Sequence, residues 1–304
     1  MCYSAQVWAS YEKYVRLYGA HIDIRTFHDL YVRKRQGDKL KTPKAMDVAF
    51  DATDPATAPT AALVREIHAA EVATLEQELF KQRKRLADAE RALQSKTTKK
   101  AQEDQRIAGT KVDQLKARLA RLKQAEPAPA DSRIYPGMYA PVMVWKDGQR
   151  VVRPMRYQCR PAGKPAFYDR KFPGTYNARR DNLEGFWAPL FGHTHAVMVA
   201  DRFYENVETP AGNAVLEFAP RTGEPMLIAC LWSRWGAGDD DLLSFAAITD
   251  DPEPEVAAAG HDRTIINLKP EHLDAWLRPT GDLQVLYAIF DDKQHPYYEH
   301  RKAA

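Results

Sequence analysis

Apolar and polar positions change their rhythm three times along this chain, and the changes mark its organisation. Residues 2–10 (CYSAQVWAS) read as a short strand or extended lead-in. Residues 11–31 place Tyr14, Leu17 and Tyr18, then Phe27, Leu30 and Tyr31, at helical spacings, which predicts one or two short helices against a core. Ala52 to Thr60 (ATDPATAPT) is a linker by composition. From Ala61 a new period begins: Val72, Leu79, Leu86 and Leu93 recur every seven residues, with Leu75 as a second seam position. Ser95 to Lys100 (SKTTKK) interrupts the stripe, and Val112, Leu115, Leu119 and Leu122 then alternate three and four apart. Two heptad arms around a polar turn predict an antiparallel helical hairpin. Glu126 to Ser132 (EPAPADS) is a second Pro/Ala linker.

Beyond it the period shortens to that of strands. Tyr139–Trp145 and Gln149–Met155, around the Lys146-Asp-Gly148 turn, read as a β-hairpin. Strand-like runs follow at Ala196–Val199, Ala214–Phe218, Met226–Trp232, Leu243–Ile248 and Val285–Phe290. Glu271 to Leu277, after Lys269-Pro270, reads as a short helix with proline at its start. The expected class is α+β: a mainly-β domain of residues 1–55 and 131–304, interrupted by a helical hairpin insertion over 56–130.

Composition alters this picture in two places. Net charge is only +3, yet residues 61–125 hold 15 Lys and Arg against 9 Asp and Glu, so the hairpin carries +6 and the remainder −3. A solvated coiled-coil face explains that excess, and a nucleic-acid arm or a partner-docking surface would use it. Three cysteines, Cys2, Cys159 and Cys230, are too few for a disulfide framework and predict a reducing cytoplasm. No run is long and apolar enough for a membrane span, and Tyr11, Glu12 and Lys13 break any signal peptide.

Candidate chemistry begins at Cys2. Methionine removal is usual before a small second residue, and it would leave a cysteine with a free α-amine beside its thiol. Such an aminothiol forms a Schiff base with an aldehyde and closes to a thiazolidine, or uses its own amine as a base. Four further places stand out: Asn177-Ala-Arg179 after a Pro-Gly turn; Ala200-Asp-Arg-Phe-Tyr-Glu205, an acid at the end of an apolar strand; Thr249 ending another strand; and His261-Asp-Arg263 after a turn. Singly each is weak, because strand-end carboxylates are usually solvated and lone histidines structural.

In this order they resemble the SOS-response-associated peptidase (SRAP) family. That family begins Met-Cys-Gly-Arg and continues with Asn-x-Ala-Pro, Asn-Ala-Arg, Ala-Asp-Gly-Phe-Tyr-Glu-Trp and His-Asp-Arg-Met-Pro. Here those places read Met1-Cys2-Tyr3-Ser4, Met138-Tyr-Ala-Pro141, Asn177-Ala-Arg179, Ala200 to Asn206 and His261 to Ile265. Gly223-Glu-Pro225 and Ala229–Trp232 look like its next paired strands. The resemblance covers residues 1–35 and about 133–280, with the hairpin inserted. Tyr3, Ser4, Arg202 and Asn206 depart from the pattern, and Met-Pro after His-Asp-Arg is missing.

What the resemblance implies is a covalent reaction with abasic sites in single-stranded DNA, without a cofactor. Cys2 would be the nucleophile, and Glu205, if burial beside Tyr204 raises its pKa, the proton-transfer group. His261 would shuttle protons, and Asn177 would orient the amine or the sugar. Arg179 suits a flanking phosphate; Tyr3, Ser4, Tyr176, Thr249 and Arg263 complete the expected DNA contacts. Tyr3, Tyr176, Trp145, Phe172 and Trp187 are candidates for base stacking, and candidates for core as well. The expected partner is single-stranded DNA bearing abasic sites, at the nucleoid and not at a membrane. A protein partner or self-association through the hairpin is the other use of the insertion.

Three other readings stay open. The same groups could hydrolyse a peptide bond, including Met1-Cys2 itself. His193-Thr-His195 with Cys159 or Cys230 could assemble a zinc site, though the spacing is unlike a tight ligand pair. Or the domain is a non-catalytic scaffold for the hairpin.

Overall fold

The computed structural model describes residues 3–8, 10–124, 126–209, 212–236 and 241–303. Strand β1 (Ser4–Val7) leads into helix α1 (Tyr11–Tyr18), β2 (His21–Ile22), α2 (Ile24–Arg35) and α3 (Lys44–Asp47). Tyr14, Phe27, Leu30 and Tyr31 are buried as their spacing predicts, while Leu17 is exposed. Two long helices follow, α4 (Ala58–Ser95) and α5 (Lys99–Lys123). Then come β3 (Arg133–Ile134), the hairpin β4 (Tyr139–Lys146) and β5 (Gln149–Tyr157), α6 (Tyr168–Lys171) and β6 (Asn177–Arg179). The rest is β7 (His195–Thr209), β8 (Gly212–Pro220), β9 (Met226–Trp235), β10 (Leu242–Asp250), α7 (Pro254–Ala258), β11 (Thr264–Ile265), α8 (Leu273–Leu277), α9 (Leu283–Asp291) and β12 (Tyr298–Lys302). The class is α+β.

Five strands close on themselves. β10 pairs with β5 in parallel, and β5–β4, β4–β7, β7–β9 and β9–β10 are antiparallel, which returns the sheet to its start. The ring encloses an apolar interior that includes Val142, Met155, Met198, Phe203, Ile228 and Phe245, with Ala5 and Val7 of β1. Closure removes free edges from these strands and forces alternate residues inward. The remaining strands attach to the ring: β1 and β8 to β7, β3 to β1, β12 to β8, β2 to β5, and β6 and β11 to β10.

Several expectations are corrected. Val285–Phe290 is not a strand but most of α9. Its β-branched and aromatic run looks extended, yet Leu286, Ile289 and Phe290 are the buried residues, at helical spacing. The Asp282 carboxylate accepts from the Gln284 and Val285 N–H groups at 3.0 and 3.5 Å and so starts the helix. Glu205 does not end an apolar strand, because β7 continues to Thr209. Gly223-Glu-Pro225 is not a strand but part of the connection before β9, so Ala229–Trp232, which does lie in β9, pairs with β7 and β10 instead. The first linker is shorter than its composition implies: α4 starts at Ala58, with Pro59 in its first turn, where no N–H is missed.

The chain separates into two compact units, Met1–Asp51 with Ala128–Ala304, and Ala52–Pro127. Within the second, α4 and α5 form the hairpin. Its most buried α4 seam residues are Leu75, Gln82 and Ala89, one heptad apart, whereas Val72, Leu79, Leu86 and Leu93 are only half-covered. Ala101, Ala108, Val112 and Leu119 are the buried residues of α5. Alanines let the two helices approach closely at the turn end, and there the Thr98 hydroxyl caps α5 by accepting from Ala101 N–H at 3.2 Å.

Within the first unit, α3 packs next to the 3-10 turn Pro129–Ser132, so the chain leaves and re-enters this unit at neighbouring points. We therefore expect the hairpin to be dispensable for folding. Replacing residues 52–127 by a short Gly/Ser linker closes a smaller loop at less entropic cost. The variant should unfold in one cooperative thermal transition, followed by near-ultraviolet circular dichroism; loss of that transition would refute the reading of the hairpin as an insertion.

Candidate active site

The alternation of β7 turns Phe203 and Glu205 toward the same side, and Phe203 belongs to the ring's apolar interior. Glu205 is thus a carboxyl group at the margin of a core, 1% exposed. Burial drives its pKa from 4.5 to about 8, because the charged form loses its hydration there; the Tyr3 N–H donating to it draws it part of the way back. Its carboxyl oxygen lies 3.3 Å from Nε2 of His261.

His261 sits in the turn after α7 and before β11. Its Nδ1 is 2.9 Å from the Arg263 carbonyl and 3.3 Å from the Arg263 N–H. One nitrogen cannot serve both, and the shorter contact assigns Nδ1–H as donor to the carbonyl. That leaves Nε2 as an acceptor facing Glu205. Burial also lowers the imidazole's pKa, so the ring is neutral at neutral pH. At neutral pH a protonated carboxyl therefore faces a neutral imidazole nitrogen 3.3 Å away.

β6 and β11 flank the end of β10. Asn177 and Arg179 pair in register with Ala247 and Thr249, and Thr249 also opposes Ile265. Asn177 and Thr249 are buried, and among the described residues the Asn177 amide and the Thr249 hydroxyl have no hydrogen-bond partner. Buried polar groups are nearly always satisfied, so such a pair marks a place built for something other than stability.

Arg179, Thr249 and Arg263 line one cavity of about 350 Å³, with Arg180, Asp250 and Tyr287 among its other walls. Its charges are internally matched. Arg179 donates to Asp181 at 2.9 and 2.6 Å, and Arg180 donates to Asp250 at 3.0 Å and to Asp291. The Arg179–Asp181 pair is exposed, so its partners exchange at little cost.

The structure thus joins Glu205 directly to His261, gathers Arg179, Thr249 and Arg263 around one cavity, and sets Asn177 on the Arg179 side of β6. Cys2 lies outside the described residues. Ser4 is fully buried and accepts from Arg133 Nε at 2.9 Å. Tyr176 packs in the core against Tyr157, and Trp187 is 3% exposed. Tyr3 and Phe172 remain accessible, Tyr3 edge-on to Tyr135 at 5.8 Å. The zinc reading loses one of its two histidines: His195 is buried, its Nδ1 2.9 Å from the Trp276 carbonyl and its Nε2 accepting from Gly192 N–H at 2.9 Å. Burial holds its pKa near 3, and its ring stacks on Trp276. Among the described residues no cluster of three His, Cys, Asp or Glu side chains could hold a metal.

Sequence reasoning missed Arg133. Its guanidinium lies 3.6 Å over the Tyr204 ring and 5.0 Å from that of Tyr135, besides reaching Ser4. β3 pairs Ile134 with Ala5, so this arginine fastens the start of β1 beside Glu205. An arginine just after a Pro/Ala linker gives no signal of that in the sequence.

The SOS response associated peptidase (SRAP) family matches residues 59–302, and the chain belongs to that family. Membership supports an SOS-associated, DNA-related function. Similar solved structures include a protein from Bacteroides thetaiotaomicron, 14% identical, with a TM-score of 0.48 over 57% of this chain and 77% of that one. A protein from Bordetella bronchiseptica is 19% identical, with a TM-score of 0.47 over 60% and 90%. A phage-related protein from the same organism is 21% identical, with a TM-score of 0.44 over 56% and 80%. No curated protein matches the chain.

The raised pKa of Glu205 has a sign that can be tested. An unfolded carboxyl titrates near 4.5 and this one near 8. Between those values the unfolded chain has released a proton that the folded chain keeps, so stability falls as pH rises through the window. Glu205→Gln removes the penalty. Its unfolding free energy should exceed that of the unsubstituted protein above pH 8, by an amount on the order of a few kcal/mol. The two should converge near pH 4.5; curves that stay parallel from pH 5 to 8 would show that Glu205 is not the titrating group.

Proposed function

We propose that this protein forms a covalent thiazolidine crosslink with abasic sites in single-stranded DNA, through Cys2 once Met1 has been removed. The observation that carries the reading is the buried Glu205–His261 pair, an acid and a base 3.3 Å apart at the margin of an apolar core. Tyr3, whose N–H reaches Glu205, follows Cys2 in the sequence. The other two cysteines are buried, and burial raises both thiols, that of Cys159 to about 12 and that of Cys230 well above its ordinary value. Neither is a thiolate at neutral pH.

The chemistry follows from the groups. A closed abasic sugar must open to its aldehyde, which requires one proton taken from the hydroxyl and one given to the ring oxygen. A carboxyl with a pKa near 8 gives and takes a proton near neutrality, and His261 Nε2 is the acceptor beside it. The Cys2 amine then adds to the aldehyde carbon and expels water as the Schiff base forms. The Cys2 sulfur adds to the imine carbon, the nitrogen takes the proton, and the five-membered ring closes. Asn177 orients the amine or the sugar through its otherwise unused amide. Arg179 exchanges the Asp181 carboxylate for a flanking phosphate.

Peptide hydrolysis, including cleavage of Met1-Cys2, would draw on the same Glu205 and His261, and stands second because a free α-amine adds nothing essential to it.

Incubation with a single-stranded oligonucleotide carrying one abasic site, followed by a denaturing gel, tests the reading. Cys2→Ala should abolish the stable adduct, whereas Cys159→Ala and Cys230→Ala should retain it. Cys2→Ser keeps the amine and should give only a borohydride-trappable Schiff base. Adduct at full yield from Cys2→Ala would overturn the assignment. Glu205→Gln and His261→Ala should each slow adduct formation, by roughly a hundredfold if they supply general acid–base catalysis. Intact mass should show that the crosslinking species starts at Cys2.

A further inference from the structure

The charge of the helical hairpin is not spread along it. Residues 80–106 hold nine Lys and Arg against four Asp and Glu, while the rest of 61–125 holds six against five. Nearly all of the excess lies in the half nearest the turn. Pairing sharpens the contrast. In the half away from the turn, Arg118 is held by Glu71 at 2.5 Å and Lys123 by Glu76 at 2.7 Å. Nearer the turn, Arg85 pairs with Asp104 and Arg91 with Asp88, and these take up two of the four acids.

Lys81, Lys84 and Lys100 make no ion pair among the described residues, and all three line a groove of about 550 Å³ floored by Ala89, Ala92 and Ala101. The groove also holds Arg85, Asp88 and Asp104, and Phe80, outside its lining but next to Lys81 in sequence, is 73% exposed. A side chain of that size, one helical turn before Lys84 on the same face, is out of place on a solvated coiled coil. Lysines without ion pairs tracking a groove, with an exposed aromatic ring one helical turn from Lys84, form a combination that suits single-stranded nucleic acid. The cations meet phosphates, and the ring stacks a base.

We propose that the turn half of the hairpin is a binding site for single-stranded nucleic acid, in which Lys81, Lys84 and Lys100 contact phosphates and Phe80 stacks a base. The site is non-covalent and stands apart from the reaction of Cys2, so it would persist if that chemistry were disproved.

The test uses the full-length protein and an unmodified oligothymidine, which offers no aldehyde. Binding is followed by fluorescence anisotropy across a salt series. The triple variant Lys81→Gln, Lys84→Gln, Lys100→Gln should flatten the dependence of log K on log salt by about 2, at roughly 0.7 per phosphate contact. Phe80→Ala should weaken binding about tenfold and leave the salt slope unchanged. The charge-neutral control Glu71→Gln, Arg118→Gln should bind as the unsubstituted protein does. Far-ultraviolet circular dichroism confirms that each variant keeps its helices. Unchanged affinity and slope in the triple variant would overturn the proposal. So would a Phe80→Ala protein that binds DNA normally but changes from dimer to monomer in sedimentation, since Phe80 would then serve a second copy of the chain.

Discussion

A carboxyl group does not stay buried unless the fold around it is strong enough to hold it there. In this protein the closed ring of β4, β5, β7, β9 and β10 supplies that strength. Its strands leave no free edges, its interior is packed with large apolar side chains, and Glu205 rides on β7 at the margin of that interior. Everything notable about the candidate site follows from this placement. Lost hydration raises the carboxyl's pKa, the same environment keeps His261 neutral, and the two side chains lie 3.3 Å apart.

The strands added to the ring position the remaining groups. β6 and β11 attach on either side of β10, which brings Asn177, Arg179, Thr249 and Arg263 to one end of it from three separate stretches of sequence. β1 attaches to β7 and is fastened there by β3 and Arg133, so the chain's first described residues run beside Glu205. The unsatisfied amide of Asn177 and hydroxyl of Thr249 are the reverse of what packing for stability alone would leave. The site and the core therefore pull in opposite directions, and the ring's closure holds the balance.

The hairpin obeys different physics. Its arms bury a narrow seam of Leu, Val, Ala and one Gln on each other, and a polar side chain at a seam position such as that of Gln82 favours one register over others. The ring provides a rigid and largely dry setting, whereas the hairpin displays long, solvated side chains on a scaffold that asks little of its surface. Charge and an exposed aromatic ring can accumulate there without disturbing a core.

How much of this the sequence already held differs from element to element. Heptad spacing gave the two helical arms, because a seven-residue repeat has few other solutions, and the Asp-Gly turn gave the β4–β5 hairpin. The family resemblance rested on short motifs around Asn177, Glu205 and His261, and family membership is established. Local pattern misjudged Val285–Phe290, where an Asp282 cap and a one-sided apolar face outweighed β-rich composition. It also put Glu205 at a strand end, since nothing nearby in sequence tells that β7 runs on to Thr209 to pair with β8. By itself, then, the sequence determined which residue types were present for the chemistry and where the helices of the hairpin lay, because those depend on neighbours along the chain. Only the tertiary structure decided that Glu205 is buried, that His261 faces it, that His195 is locked against Trp276, and that Arg133 secures β1. Those properties arise between residues far apart in the chain, and burial, which sets the pKa, exists only once the ring has closed.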